Sequence, residues 1–237
     1  ILLDWMNVDM ADIGAYSACY KIGMFMVLFR TAYTLGIEPF FFSHAKNENA
    51  PQTYATITKY FVIFGSFICL GVIVFADILK LILVPKETYW DAMDVVPLIV
   101  LANLFLGIYT NLSVWYKLID KTKIGAYISI VGAIVTLVLN LILIPMISYM
   151  GSAIATILAY GTMMFISYYM GQKKYPIPYD KKSIFTYLGL AIVLSGISFY
   201  VPILRETYVF GIAAILFFAY FVYRNEKETI LTIIRRK

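Results

Sequence analysis

The sequence predicts an all-α protein, a polytopic bundle of membrane-spanning helices, and two observations carry this prediction. Of its 237 residues, 62% are hydrophobic and only 14% are charged, whereas a soluble domain has roughly 45–50% and about 25%. The apolar residues also come in blocks of about 20, the length of helix that crosses a hydrocarbon core of about 30 Å. The net charge of +5 resides mainly in the short links between these blocks, which argues against a nucleic-acid partner.

The apolar blocks predict about seven spans, with edges good to a few residues: 13–43, 57–78, 96–117, 124–146, 150–170, 184–203 and 207–223. Pro39 predicts a kink near the end of the first span, because proline removes a backbone donor. Residues 224–237 are basic and amphipathic, and they are expected either to lie along the inner membrane surface or to be a solvated terminus. The predicted domains are therefore a transmembrane unit over 1–223 and a cytoplasmic tail over 224–237.

Lysine and arginine are distributed unevenly between the links. When the links alternate between two sides, 14 of the 19 basic residues fall on one side, and the other side receives Lys80, Lys86 and Arg205. Short basic loops stay in the cytoplasm, so the C-terminus is predicted to be cytoplasmic. The first span then starts outside. That start, together with an isoleucine rather than a methionine at position 1, predicts a fragment that lacks upstream spans.

The sequence offers little for enzymatic chemistry. It contains a single histidine, His44, and its two cysteines fall in apolar blocks without the spacing of a disulfide framework or a metal site. It has neither a phosphate-binding loop nor a nucleophile elbow. A membrane glycosyltransferase or polymerase would need catalytic carboxylates in a sizeable outer loop, where Asp91 and Asp94 are the nearest candidates. We therefore predict a protein that is not an enzyme and holds no metal or cofactor.

Three charged residues lie inside the first predicted span, namely Lys21, Arg30 and Glu38. A charge near the bilayer centre costs about 2.5–3.5 kcal/mol on insertion scales, so such residues usually face a functional pathway. At 100° per residue, Arg30 shares a stripe with Cys19 and Gly23, whereas Lys21 lies about 180° away and Glu38 about 80° away. Arg30 is therefore the charged residue expected to face the bundle.

These positions suggest roles for the three charged residues. The planar guanidinium group of Arg30 suits a phosphate or diphosphate, and Arg30 and Lys21 are taken as candidate substrate-binding residues. Glu38 suits a proton or a sodium ion and is the candidate ion-coupling residue. The structural alternative for Arg30 is an ion pair, either with Glu38 or with an acid in the missing part, that only holds helices together.

The third predicted span carries a second set of polar residues. Asn103, Gly107 and Asn111 recur at every fourth position and so lie nearly on one face of a helix. Amides within a membrane span either join neighbouring helices or line an aqueous cavity. Asn103, Tyr109 and Asn111 are therefore candidate substrate-binding residues, with helix–helix packing as the alternative for each asparagine.

A family resemblance rests on the region from 111 to 180. The chain carries a motif of the form N-x-x-L-x-P…G-x-A-x-A-T, formed by Asn140, Pro145 and the segment 151–156 (GSAIAT). This motif looks like the signature of a superfamily of membrane transporters. The segments 12–23 (DIGAYSACYKIG) and 37–46 (IEPFFFSHAK) add to the likeness. The chain thus resembles polysaccharide biosynthesis proteins of the O-antigen flippase type. They belong to the multidrug/oligosaccharidyl-lipid/polysaccharide flippase superfamily, which also includes the multidrug and toxin extrusion transporters and the lipid II flippases.

The resemblance implies a two-lobe transporter of about 12–14 spans, of which this chain is the second lobe. It implies a flippase in the bacterial cytoplasmic membrane that moves an undecaprenyl-diphosphate-linked oligosaccharide by alternating access, for lipopolysaccharide or another surface polysaccharide. The implied partners are that lipid-linked oligosaccharide, the bilayer, the missing N-terminal lobe and polysaccharide polymerase machinery, with a proton or sodium gradient as the energy source. The alternative is a cation-coupled drug exporter of the same fold, which Arg30 disfavours because it would repel a cationic drug.

Overall fold

The structure is a computed structural model that describes residues 2–6 and 8–235, except for the side chains of residues 229–235. The described residues form helices and no strands. The helices are, in chain order, α1 (Leu2–Trp5), α2 (Met10–Ser43), α3 (Ala50–Val74), α4 (Ala76–Leu83), a 3₁₀-helix (Glu87–Val95), α5 (Val96–Leu112), α6 (Val114–Leu118), α7 (Lys123–Lys174), α8 (Lys181–Tyr200), α9 (Pro202–Thr207) and α10 (Val209–Arg235).

Five helical stretches of the described chain are long and apolar enough to cross a membrane. They are Ala50–Val74, Glu87–Leu118, Lys123–Lys174, Lys181–Tyr200 and Val209–Glu228. The 34-residue α2 is long enough, but it carries Lys21, Arg30 and Glu38 and is not among the five. The prediction of an all-α, polytopic bundle is confirmed.

The 52-residue α7 is a helical hairpin rather than one straight rod. Its backbone leaves helical geometry at Ile147 and at Ser148, where φ is +50°. A Cβ atom built on Gly151 would lie 2.6 Å from the carbonyl carbon of Leu143, which is possible only if the chain turns back on itself. The arms 123–146 and 149–174 are therefore antiparallel, as the predicted spans 124–146 and 150–170 require. Gly151 is needed at this crossing because the atoms facing it belong to the backbone.

α5 is the central helix of the bundle, and it contacts α2, α3, α7 and α8. It runs parallel to α2, as three successive contacts show: Gly23–Ile99, Arg30–Gly107 and Tyr33–Asn111. α3 runs antiparallel to α10, as three further contacts show: Val74–Gly211, Phe67–Phe218 and Lys59–Glu226. The chain thus alternates in direction from one long helix to the next.

This alternation gives the bundle two ends with different charges. At the end where α2 stops and α8 starts lie Lys46, Lys59, Lys117, Lys121, Lys123, Lys173, Lys174, Lys181 and Lys182, and we call it the basic end. At the other, acidic end lie Asp12, Asp77, Glu87, Asp91, Asp94 and Glu206 together with Lys80, Lys86 and Arg205. The uneven distribution of basic residues read from the sequence is therefore a property of the folded bundle, and its orientation in the cell stays a prediction.

Several predicted edges shift in the structure. α3 begins at Ala50 rather than at 57, because Pro51 fits the first turn of a helix. α2 passes through Pro39 without interruption. α10 continues across the predicted boundary at 223 to Arg235, so the described backbone has no break there. The apolar side chains of the tail, from residue 230 onward, lie outside the described residues, and the placement of the tail at the membrane surface stays a prediction.

Candidate functional site

The candidate site lies where Arg30 interrupts the apolar inward face of α2. Cys19, Ile22 and Met26 are buried on this face, and Arg30 continues it one turn after Met26. Lys21 is exposed on the opposite face of the helix. The helical spacing thus places Arg30 toward the bundle and Lys21 away from it, so the structure does not bring these two candidates together.

Arg30 packs against a gap that a glycine leaves in α5. A Cβ atom built on Gly107 would lie 3.5 Å from Cγ of Arg30, an ordinary contact, and 2.4 Å from the ring of Phe61, which a larger residue at 107 would displace. The Nε atom of Arg30 is buried and has no hydrogen-bond partner among the described residues. A buried donor without a partner costs about 1–3 kcal/mol. The buried Nε atom of Arg30 is therefore expected to lower the free energy of unfolding.

Two tyrosines, Tyr20 and Tyr160, lie on the side of α2 that faces the second arm of α7. Tyr20, on α2, and Tyr160, on the second arm of α7, lie close enough to interact electrostatically with each other, and Tyr160 also interacts with Arg30. The two phenol groups and the guanidinium group thus come from two helices that approach each other beside α5. Tyr160 thus supplies a hydrogen-bond donor next to the positive charge of Arg30, and Tyr20 lies on the far side of Tyr160.

Glu38 forms its ion pair with Lys117 of the α5–α6 segment, and not with Arg30 as the structural alternative proposed. Beside it, the hydroxyl of Tyr33 donates to the amide oxygen of Asn111. Both contacts connect α2 to the central part of the bundle. The space enclosed by these residues is about 10 Å³, which is room for one water at most. The carboxylate of Glu38 is therefore balanced by a lysine in this structure.

The predicted polar residues of α5 have partners inside the protein. Asn103 is buried and donates to the carbonyl of Ile99 in its own helix. Asn111 donates to the carbonyl of Gly107 while it accepts from Tyr33. Helix packing thus accounts for the hydrogen bonds that Asn111 makes in this structure, and a role for either asparagine in substrate binding stays a prediction.

Tyr109 lies on a different side of α5 from Arg30. Its hydroxyl group is 3.2 Å from that of Tyr116, and it also interacts with Ser129 on the first arm of α7. The structure therefore separates Tyr109 from the site, although its role in binding stays a prediction.

Sequence reasoning did not select Tyr33, Lys117 or Tyr160 as site residues. The signal for Tyr33 was available, because it follows Arg30 by three residues on the same face of α2. Lys117 and Tyr160 carried no such signal, because they reach the site from distant parts of the chain.

A second cluster of ionisable groups connects α3, α8 and α10 near the basic end. Nζ of Lys59 lies 2.8 Å from one carboxylate oxygen of Glu226, and the hydroxyl of Tyr187 donates to the other at 3.0 Å. Glu226 is only 4% exposed. Each oxygen of this buried carboxylate therefore has a partner, and we call these three residues the Glu226 cluster.

A third cluster connects α4 to α9 at the acidic end. Nε and Nη2 of Arg205 lie 2.5 and 2.7 Å from the carboxylate oxygens of Asp77, and Nζ of Lys80 lies 2.7 Å from Asp77. Burial opposes ionisation of Asp77, but the hydrogen bonds from Arg205 and Lys80 outweigh it and lower the pKa of Asp77 below 3.8. The cluster borders an open cavity of about 700 Å³, in which these three charges are already paired.

The fold and these clusters define a class, namely a polytopic helical membrane protein with ionisable side chains inside its bundle. The described residues contain no group of residues suited to hold a metal ion. The family model MatE matches residues 5–142, and the chain belongs to the MatE family. This family is part of the multidrug/oligosaccharidyl-lipid/polysaccharide flippase superfamily, and its members are transporters rather than enzymes.

The matched region covers α2 to α6 and most of the first arm of α7. It includes Asn140 of the resemblance but ends before Pro145 and the segment 151–156. No curated protein and no solved structure matches the chain. The superfamily in the sequence-based resemblance is thus confirmed, whereas the O-antigen flippase type stays a prediction.

Proposed function

We propose that the protein is a flippase that moves an undecaprenyl-diphosphate-linked oligosaccharide from the cytoplasmic to the outer leaflet for a surface polysaccharide. The observation that carries the proposal is Arg30, a guanidinium group on the inward face of a long helix with a buried Nε atom that lacks a partner. A cation kept inside a bundle at a cost in stability suits a negatively charged ligand that supplies the missing hydrogen bonds.

A diphosphate fits this position better than a cationic drug does. The guanidinium group presents several donors in one plane, which match the oxygens of a phosphate group. The hydroxyl group of Tyr160 adds a donor nearby. Lys21 lies nine residues away, about 13 Å along the helix and on its opposite face, so it would contact a different part of the substrate or of the translocation path.

The outward face of α2 is suited to contact the other lobe of the transporter. Its exposed residues include Lys21, Thr31 and Gly36, which lipid chains would solvate poorly, beside exposed apolar side chains such as Leu28 and Leu35. We infer that this face meets the other lobe of the transporter and that the lipid-linked sugar crosses by alternating access, its diphosphate reaching the partly exposed Arg30 when the helices beside it separate. The basic end is then cytoplasmic, because short basic loops remain on that side.

Glu38 is our proposed coupling residue. A proton or sodium ion bound at its carboxylate would compete with Lys117 and weaken a contact between α2 and the α5–α6 segment. Since this contact lies about two turns beyond Arg30 on α2, toward the basic end, its loss would loosen the cytoplasmic end of the path. Ion binding would thereby be linked to a change in which side of the path is open.

The proposal is tested in cells that lack the gene, with a wild-type or a variant gene restored. We expect diphosphate-linked oligosaccharide to accumulate in extracted lipids of the deletion strain and to fall when the wild-type gene is restored. Arg30→Ala should reach the membrane at normal levels and leave the accumulation in place, whereas Arg30→Lys should relieve it in part, because the ammonium keeps the charge but not the planar donors.

Two outcomes would contradict the proposal. If wild type, Arg30→Ala and Arg30→Lys relieve accumulation equally, Arg30 does not hold the diphosphate. If the deletion causes no accumulation and leaves surface glycan unchanged, the protein does not flip this substrate. A cation-coupled exporter would then be the better hypothesis.

A further inference from the structure

An apolar slot lies between the second arm of α7 and the first turns of α8, with α3 and α5 behind it. Its volume is about 220 Å³. Ile108 and Leu112 form its floor, and Met164, Phe185 and Leu188 line its sides. The slot is therefore lined mainly by apolar side chains of helices long enough to span a membrane, and it opens between two of them.

Away from its basic end, the described lining of the slot includes no side chain with a free polar group. The hydroxyl of Thr58, which also lines it, donates to the carbonyl of Tyr54 in its own helix. At its edge, Phe165 and Phe185 are 67% and 69% exposed, so the opening is apolar as well. From Lys181 to Leu188 the slot extends over seven residues of α8, about 10 Å. A flexible hydrocarbon chain fits these dimensions and this chemistry.

The basic end of the slot has the opposite character. Lys181 lines it there, beside Tyr168 and Tyr179, whose ring centroids lie 6.0 Å apart. The link from 171 to 182 carries four lysines and one aspartate. That aspartate, Asp180, accepts from the backbone amide of Ser183 and caps α8. Net positive charge thus remains where a lipid headgroup would lie.

We propose that this slot binds an anionic phospholipid of the leaflet at the basic end, with one acyl chain in the slot and the phosphate at Lys181 and Lys182. Basic pockets between membrane helices recognise acidic headgroups in this way, and tyrosines favour the interface. None of the residues that line the slot belongs to α2, so the site is separate from Arg30. The proposal holds whether or not the protein is a flippase.

The test uses the purified protein in vesicles that contain brominated phosphatidylglycerol or brominated phosphatidylcholine. Bromine quenches a nearby tryptophan, so Phe185→Trp reports on the slot, after subtraction of the signal of the unmodified protein. The matched control is Leu137→Trp, which is exposed on the first arm of α7. We expect phosphatidylglycerol to be preferred at 185, by about fivefold per lysine, and not at 137.

Three variants test separately the two lysines, the apolar slot and another lysine at the basic end. Lys181→Gln combined with Lys182→Gln should reduce the preference at 185 to that of the control. Leu188→Phe, which fills the deep end of the slot, should lower quenching by both lipids at 185 and leave 137 unchanged. Lys46→Gln, at another exposed position of the basic end, should change neither.

Three results would overturn the proposal. Equal quenching by the two lipids at 185 would mean that the slot holds only the ordinary lipids of the annulus. An equal anionic preference at 185 and 137 would reflect the charge of the protein as a whole. Relief of quenching by an equal amount of a long-chain polyprenyl phosphate would identify a carrier lipid, rather than a phospholipid, as the occupant.

Discussion

Two groups of charged side chains inside this bundle differ in one respect, namely whether their hydrogen bonds are complete. In the Glu226 cluster, Lys59 and Tyr187 occupy both oxygens of the carboxylate. On the inward face of α2, Nε of Arg30 is buried without a partner. Both groups bury polar atoms of charged side chains, but only in the first does each buried carboxylate oxygen have a partner within the described chain.

This difference distinguishes charged groups that stabilise the fold from a charged group that is available to bind a ligand. A buried ion pair with complete hydrogen bonds is internally balanced, and the loss of one member leaves an uncompensated charge. A buried donor without a partner stabilises nothing until a ligand arrives. We therefore expect substitutions in the Glu226 cluster to lower stability, and substitutions of Arg30 to affect transport instead.

The largest expected effect is that of Glu226→Ala. It should lower the free energy of unfolding by about 3–5 kcal/mol, because Lys59 and Tyr187 then lack their buried partner. The measurement is thermal unfolding of the purified protein in detergent. The double variant Lys59→Met with Glu226→Leu should recover most of the loss, since it removes both charges and keeps the volume.

If Glu226→Ala unfolds like the wild type but abolishes transport, the comparison fails. The Glu226 cluster would then be a functional site, and complete hydrogen bonding would not distinguish the two kinds of cluster.

Substitution in the third cluster, that of Asp77, Lys80 and Arg205, should have an intermediate effect on stability that depends on pH. Asp77→Asn removes a partly buried carboxylate that pairs with Arg205 and Lys80, and we expect a loss of about 2 kcal/mol at pH 7. Because the pKa of Asp77 is lowered in the folded protein, its contribution is fully present above the unfolded pKa of about 4. It is lost as the pH falls through the lower folded value.

Wild type and Asp77→Asn should therefore differ by a constant amount from about pH 5 to 7, begin to converge near pH 4, and converge fully only below the lowered folded pKa of Asp77. Unfolding measured across this range checks the prediction. The control is Asp91→Asn, at an exposed position of the same end, which should change stability by less than about 0.5 kcal/mol. A difference between wild type and Asp77→Asn that does not vary with pH would mean that the ion pair contributes nothing.

The sequence was sufficient for most of the fold. Blocks of about 20 apolar residues fix where helices cross, and the uncharged link at 147–150 separated the two arms of α7. Arg30 was found because a charge in an apolar block is rare. The partners were not found: Lys117 and Glu38 are 79 residues apart, and Lys59 and Glu226 are 167 apart. Helical periodicity fixes which face a residue occupies, but not which helix covers it.

The smallest expected effect on stability is also the most direct test of the comparison. Arg30→Met keeps the length and apolar part of the side chain and removes the donor without a partner. The free energy of unfolding should stay unchanged or rise by up to about 1 kcal/mol, while transport is lost.

The control makes the same exchange at an arginine with partners: Arg205→Met leaves Asp77 without its bidentate partner and should cost about 2 kcal/mol. Thermal unfolding of the two variants side by side gives the answer. Should Arg30→Met destabilise the protein as much as Arg205→Met does, Arg30 holds helices together, and the diphosphate would need another site.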